Sequence, residues 1–147
     1  MSDSIMTKAY RSYQTAFHVP VQDILPMIGS VKRVFIHTLG SWVDLQAPRL
    51  IPFTESLKCY ACGRKGAFFA VQRHLQPHGG RKWHLNLYSE DGRLMTCDHV
   101  IPKSSWTKEQ RHLADDPNNL RTMCDKCNTK KGSRPIEQFM QDRTFHH

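Results

Sequence analysis

Between residues 83 and 102 the chain alternates between apolar and polar positions. Trp83-His84-Leu85-Asn86-Leu87-Tyr88 and Arg93-Leu94-Met95-Thr96-Cys97-Asp98-His99-Val100-Ile101-Pro102 flank the segment Ser89-Glu90-Asp91-Gly92. A period of two argues for strands and an Asp-Gly pair for a tight turn, so a β-hairpin is predicted, with Asp98 and His99 at the end of its second strand. Pro102 has no N–H to donate and is expected to end the pairing. A polar stretch runs from Lys103 to Asn118, with one helical turn expected around Thr107 to Leu113, and Leu120-Arg121-Thr122-Met123 then reads as a short strand. A helical or turned segment carrying Asn128, Lys130 and Lys131 should stop at Gly132. Ser133 as an N-cap, with Pro135 in the first turn, opens a last helix whose Ile136, Phe139 and Met140 share a face. Upstream, Val31 to Leu39 alternates loosely as a strand, while Pro20, Pro26, Pro48 and Pro52 punctuate residues 1–57 and Gly29 and Gly40 mark turns. Phe17, Ile24, Leu25, Phe35, Trp42 and Leu45 make that stretch apolar enough to fold. It could pack on the rest of the chain, pair with a second copy to give a homodimer, or read nucleic acid.

Four cysteines change this picture of a plain α+β chain. Cys59/Cys62 and Cys124/Cys127 form two Cys-x2-Cys knuckles separated by 61 residues. Each knuckle presents two sulfurs that converge on one point, and two knuckles complete a closed tetrahedral site for structural Zn²⁺. The fold, rather than a short loop, has to bring them together. Disulfides are disfavoured, because five cysteines is an odd number and the first eight residues are polar with no apolar signal segment. No run approaches a membrane span. The fifth thiol, Cys97, is expected to be a buried structural residue.

The wording around the hairpin and the second knuckle resembles the HNH nuclease family and its ββα-metal motif. The residues that carry the likeness are Leu94-Met95-Thr96-x-Asp98-His99-Val100-Ile101-Pro102-Lys103-Ser104 and Asn119-Leu120-Arg121-Thr122-Met123-Cys124-x-x-Cys127-Asn128-x-x-Lys131-Gly132. The likeness runs over about residues 59 to 140. It implies a small zinc-stabilised α+β nuclease fold, with residues 58–147 as the nuclease domain and residues 1–57 as an N-terminal extension packed on or next to it. His99 takes the place of the first family histidine, Asn119 that of the central asparagine and Asn128 that of the final position, where many members have histidine. The chain is therefore a His-Asn-Asn variant. The resemblance also implies that the Asn119 side chain ties the loop between the strands and steadies the backbone around His99. Short forms of this kind are frequent in bacteriophage and mobile-element genomes, which would place the protein in the cytoplasm, that of the host if it is phage-encoded.

The chemistry can be argued from the residues as well. Phosphodiester hydrolysis needs an activated water, a cation against the charge growing on phosphate, and a way to stabilise the departing 3′ oxygen. A neutral imidazole is available near physiological pH, so His99 is the expected general base. Asp98 and Asn128 are hard oxygen donors and are expected to hold a catalytic Mg²⁺ or Mn²⁺; a histidine at 128 would have widened the choice towards softer ions. Neighbouring strand residues point to opposite faces, so Asp98 and His99 can serve one phosphate only at the strand end, where the pleat relaxes.

Charge agrees with DNA as the partner. Residues 1–57 carry five basic and four acidic side chains and residues 58–147 carry sixteen and nine, so the second part holds +7 of the net +8. Such an excess supplies sequence-independent phosphate contacts. Lys103, Lys130, Lys131 and Arg134 lie nearest the expected site, and Arg64, Lys65, Arg73, Arg81 and Lys82 could extend the track. The expectation is a metal-dependent endonuclease. Two alternatives are a zinc-dependent DNA-binding module without catalysis and a partner-binding zinc domain.

Overall fold

A computed structural model describes residues 7–76 and 82–145. Residues 1–6, 77–81, which include Arg81, and 146–147 fall outside them. In chain order the elements are α1 (Lys8–Arg11), β1 (Tyr13–Pro20), α2 (Val21–Ile24), β2 (Arg33–Ile36), β3 (Ser41–Asp44), α3 (Ile51–Glu55), β4 (Gly66–His74), β5 (His84–Ser89), β6 (Leu94–His99), β7 (Leu120–Cys124), α4 (Asp125–Lys131) and α5 (Ile136–Phe145). The architecture is α+β. Five antiparallel strands form one sheet in the order β1-β4-β5-β6-β7, and β2 and β3 form a separate hairpin.

The expected β5–β6 hairpin is present. Gly92 sits at φ +84°, a left-handed value that costs glycine nothing, and Ser89 closes the turn by exchanging backbone bonds with Gly92 and Arg93. Its apolar face is covered from the N-terminal part of the chain. Val43, Leu45, Leu50 and Phe53 pack with Phe69, Leu85, Leu87, Met95 and Met123 in one core, each 2 % exposed or less. Residues 1–57 also supply β1, one of the sheet's two edge strands. Toward the other face, Gln72 and Asn86 are buried but satisfied. Gln72 Oε1 accepts from the Tyr88 hydroxyl and from Asn86 Nδ2, both at 2.7 Å, while Gln72 Nε2 donates to Thr15 Oγ1 at 2.8 Å. Buried amides are tolerated only when paired in this way.

Strands β5 and β6 pair at Tyr88–Leu94 and Leu87–Met95 and then part, while β6 stays paired with β7 from Met95 to His99. The sheet therefore forks. Arg49 fills part of the gap, its guanidinium donating to the Leu85 carbonyl at 2.7 Å, a strand acceptor that β6 does not reach.

Two local expectations need correction. In place of one helical turn around Thr107 to Leu113, the polar stretch holds three short 3₁₀ turns: Lys103–Ser105, Arg111–Asp115 and Pro117–Asn119. Pro117 forces the preceding Asp116 to extended angles, φ −60° and ψ 134°, which ends one turn and starts the next. The last helix begins at Ile136, so Ser133 is not its N-cap and Pro135 precedes its first residue, and the Ile136 N–H is met by the Val100 carbonyl at 3.2 Å. That bond fastens α5 to the segment just after His99.

Candidate metal and hydrolytic centre

The knuckles meet because the first is stitched to β7, the strand that leads into the second. Thr122 Oγ1 donates to the Ser56 carbonyl at 2.6 Å, and the Tyr60 N–H donates to the Thr122 carbonyl at 2.8 Å. Cys59, Cys62, Cys124 and Cys127 then gather with all four sulfurs within 4.8 Å of one another. A tetrahedron with metal–sulfur bonds of about 2.3 Å has edges of about 3.8 Å. The Cys62–Cys124 sulfur separation is 3.8 Å. Burial alone would push the Cys59 thiol up, but N–H groups of the knuckles and contact with Cys62 together outweigh it and hold the group down to about 7. Cys124 and Cys127 are driven up, first by burial and then by the crowding of neighbouring sulfurs, a cost that a bound dication removes. The donor set fits zinc. Cys97 stands apart from it, half-buried rather than fully buried, its thiol pushed up to about 11 by desolvation and by the nearby Asp98 charge.

At the end of β6 the pleat sends Asp98 and His99 to opposite sides, and each finds a partner that the sequence did not announce. Asp98 is 7 % exposed and faces α4, where the Lys131 ammonium lies 3.0 Å from Oδ2 as an ion pair, though without hydrogen-bond alignment. His99 is partly exposed and its Nε2 lies 2.9 Å from Oδ1 of Asp115. A neutral imidazole next to a carboxylate keeps its proton on the nitrogen that faces it, which leaves the Nδ1 lone pair unprotonated. The carboxyl of Asp115 is held below its ordinary value by the His99 hydrogen bond, with Lys103 at 3.8 Å adding to it.

Asn128, the middle residue of α4, points back at β6. Its Nδ2 donates to Thr96 Oγ1 at 2.9 Å, and the Thr96 hydroxyl is itself spent on the Met123 carbonyl at 2.6 Å. Thr96 can therefore only accept from Asn128, which fixes the amide and turns its oxygen away from Thr96. Asn119, 9 % exposed, makes the tie that the resemblance implied: Oδ1 accepts from the Ile101 N–H at 2.9 Å, and Nδ2 donates to the Ile101 and Ala114 carbonyls at 3.1 and 2.9 Å. One side chain thus staples the segment after His99 to the turn that carries Asp115.

Of the four residues expected to touch DNA, Lys103 and Lys130 lie at the surface. Lys131 does not. It is 2 % exposed and held by Asp98, because α4 turns its last residues toward β6 before Gly132, at φ +60°, ends the helix. Arg134 is also committed elsewhere. Its guanidinium caps the Lys130 and Lys131 carbonyls at the open end of α4 and pairs with Asp142 at 2.6 Å, which satisfies acceptors that every helix end leaves unpaired.

The site residues missed in the sequence are Thr96 and Asp115. Thr96 looked like one polar position in an alternating strand. Asp115 lies in the polar stretch with nothing local to mark it, beside Asp116, whose side chain accepts from the Asn118 N–H at 2.9 Å.

No helix among the described residues is long and apolar enough to cross a membrane. No curated protein and no solved structure matches the chain. Residues 80–134 match the family model of the HNH endonuclease, a span that holds Asp98, His99, Asn119, Asn128 and the second knuckle and leaves the first knuckle outside. Nucleases of that family act on DNA and use divalent metals. Over residues 80–134, which include β6, the following loop and α4, the chain is therefore similar to the HNH endonuclease domain.

Proposed function

We propose that the chain is a metal-dependent endonuclease that hydrolyses DNA phosphodiester bonds, with His99 as the general base and Asp98 and Asn128 as protein ligands of Mg²⁺ or Mn²⁺. The observation that carries this is a set of two oxygen donors on the side of β6 that faces α4, with His99 at the same strand end on the opposite side. The Asp98 carboxylate is buried with Oδ2 lacking an aligned donor, and the Asn128 amide is oriented with its oxygen left over. Two hard oxygen donors suit an ion that keeps most of its water. When bound, that ion offsets the negative charge that grows on the phosphate and on the departing 3′ oxygen.

The chain's own groups supply the rest. His99 accepts the proton of the attacking water at Nδ1, and Asp115 holds the ring through Nε2 and stabilises the imidazolium that results. Asn119 fixes the backbone on which the base sits. Lys103 and Lys130 contribute exposed positive charge that attracts the phosphate chain. The Lys131 ammonium pairs with the Asp98 carboxylate at 3.0 Å, in a place where neither group has much water.

The ion pair also favours a second reading, a zinc-dependent DNA-binding module without catalysis, because an ammonium already neutralises Asp98. Nicking of supercoiled plasmid separates the two. Cutting in Mg²⁺ or Mn²⁺, abolished by EDTA at a dose that leaves the thiolate zinc in place, supports the nuclease. Binding without cutting under every metal supports the module. The same gel resolves nicked circles from linear product and so tells one-strand from two-strand cleavage.

A further inference from the structure

The fork between β5 and β6 opens into a cleft of about 990 Å³. Its position is set by the N-terminal part of the chain: the β2–β3 hairpin forms one wall, the segment around Arg49 forms the base, and the starts of β1 and β5 form the other wall. Among the described residues four cations line it, Lys32, Arg33, Arg49 and Lys82, against one carboxylate, that of Asp44. None of them is closed off from water.

Rings occupy the space between these charges. Trp42 is 48 % exposed, and Arg33 lies 4.3 Å over its ring. Across the cleft Tyr13, His74 and His84 form a cluster with centroids 5.1 to 5.5 Å apart. Interleaved cations and partly exposed rings are what an unpaired nucleic-acid strand needs, phosphates going to the cations and base faces to the rings. A duplex presents its phosphates outward and keeps its base faces stacked, so it has no use for rings inside a cleft of this size. The cleft also leads to the proposed centre. Cys97 lines it, and His99 is two residues further on the same face of β6, about 7 Å along the strand.

We propose that this cleft holds an unpaired DNA strand next to the scissile phosphate, so that the chain selects DNA in which a duplex gives way to a single strand. The proposal rests on the nuclease reading only for the cutting step, since occupation of the cleft is a matter of binding.

Binding is therefore measured first, by fluorescence anisotropy of a labelled oligothymidylate and of a blunt duplex of equal length, using full-length protein with His99→Ala. The oligothymidylate should bind more tightly. Lys32→Ala with Lys82→Ala removes two exposed cations from opposite sides of the cleft, and should lower the slope of log affinity against log salt for the single strand by about 1.4. Trp42→Ala should weaken single-strand binding by between about 5- and 150-fold, the usual worth of one stacked base. Both variants should leave duplex binding within about twofold, and the lysine pair, being exposed, should keep the melting temperature unchanged. Equal affinity for the two probes, or parallel loss of both in the lysine variant, overturns the proposal. In the wild type, a forked duplex should be cut faster than a blunt one, and the lysine variant should lose that preference while still cutting the blunt duplex. If nothing is cut but the single strand still binds selectively through these residues, the nuclease reading falls and the cleft assignment stands.

Discussion

Replacing Lys131 by methionine isolates the Asp98 environment. Methionine keeps most of the aliphatic stem of lysine and removes the ammonium, so the change is electrical more than steric. The lysine is 2 % exposed, and the Asp98 side chain 10 %, with 3.0 Å between the charges. Removing one member of a buried pair typically costs about 3–5 kcal/mol, because the other charge is left buried without compensation. The slight exposure of Asp98 argues for the lower end, about 3 kcal/mol. At roughly 2–4 °C per kcal/mol for a domain of this size, the melting temperature should fall by about 6–12 °C. Adding Asp98→Asn to Lys131→Met removes the orphaned charge and should restore most of the loss, a coupling that a double-mutant cycle reads directly. Magnesium provides the second half of the test. A ligand that binds only the folded state at a hundred times its dissociation constant adds about 2.7 kcal/mol, so saturating Mg²⁺ should raise the melting temperature of Lys131→Met by several degrees, and by more than it raises that of the wild type. Scanning calorimetry at fixed zinc, with and without Mg²⁺, measures all four proteins. A Lys131→Met protein that melts within about 1 °C of wild type, or a double variant as unstable as the single one, would refute the reasoning.

Three other outcomes follow from the geometry. Cys59→Ser removes one of four converging thiolates, so elemental analysis should fall below the one zinc per chain expected of the wild type, and thermal stability should fall with it; folded wild-type protein without zinc contradicts this. Thr96→Val deletes the acceptor that orients the Asn128 amide, and should raise the Mg²⁺ concentration for half-maximal cleavage by about 10-fold or more while DNA affinity holds. Asp115→Ala releases the His99 ring, and should lower turnover by about 10-fold without changing KM for DNA, with Asp115→Asn recovering part of the rate because its amide oxygen still accepts from Nε2–H.

How much of this could be read in the sequence depends on whether a feature is local. The β5–β6 hairpin, the strand after the polar loop, the stop at Gly132 and the meeting of the two knuckles all rest on periodicity, turn residues or ligand spacing, and these act over a few residues or through a fixed metal geometry. The relations that cross the chain left no such trace. Lys131 counted as a surface cation because its neighbours are cationic and α4 is short; only the angle of α4 against β6 places it on Asp98. Asp115 lies sixteen residues from His99 and reaches it through a run of 3₁₀ turns that no periodicity encodes. The same holds for residues 1–57, whose punctuated, weakly alternating sequence showed that they could fold but not that they contribute β1, part of the core and much of the cleft. Arg49 is the clearest case. A lone arginine after a proline says nothing of a strand carbonyl 36 residues away.

Cleavage by His99→Ala tests the central claim most directly. The substitution removes the base and none of the proposed metal ligands, so purified variant should bind DNA and Mg²⁺ like the wild type while single-turnover cleavage of a plasmid falls by about 10²–10⁴-fold, the usual worth of a positioned general base. Cleavage within a few-fold of wild type, in a preparation shown free of other nucleases, would contradict the assignment of His99 and the hydrolytic centre built around it.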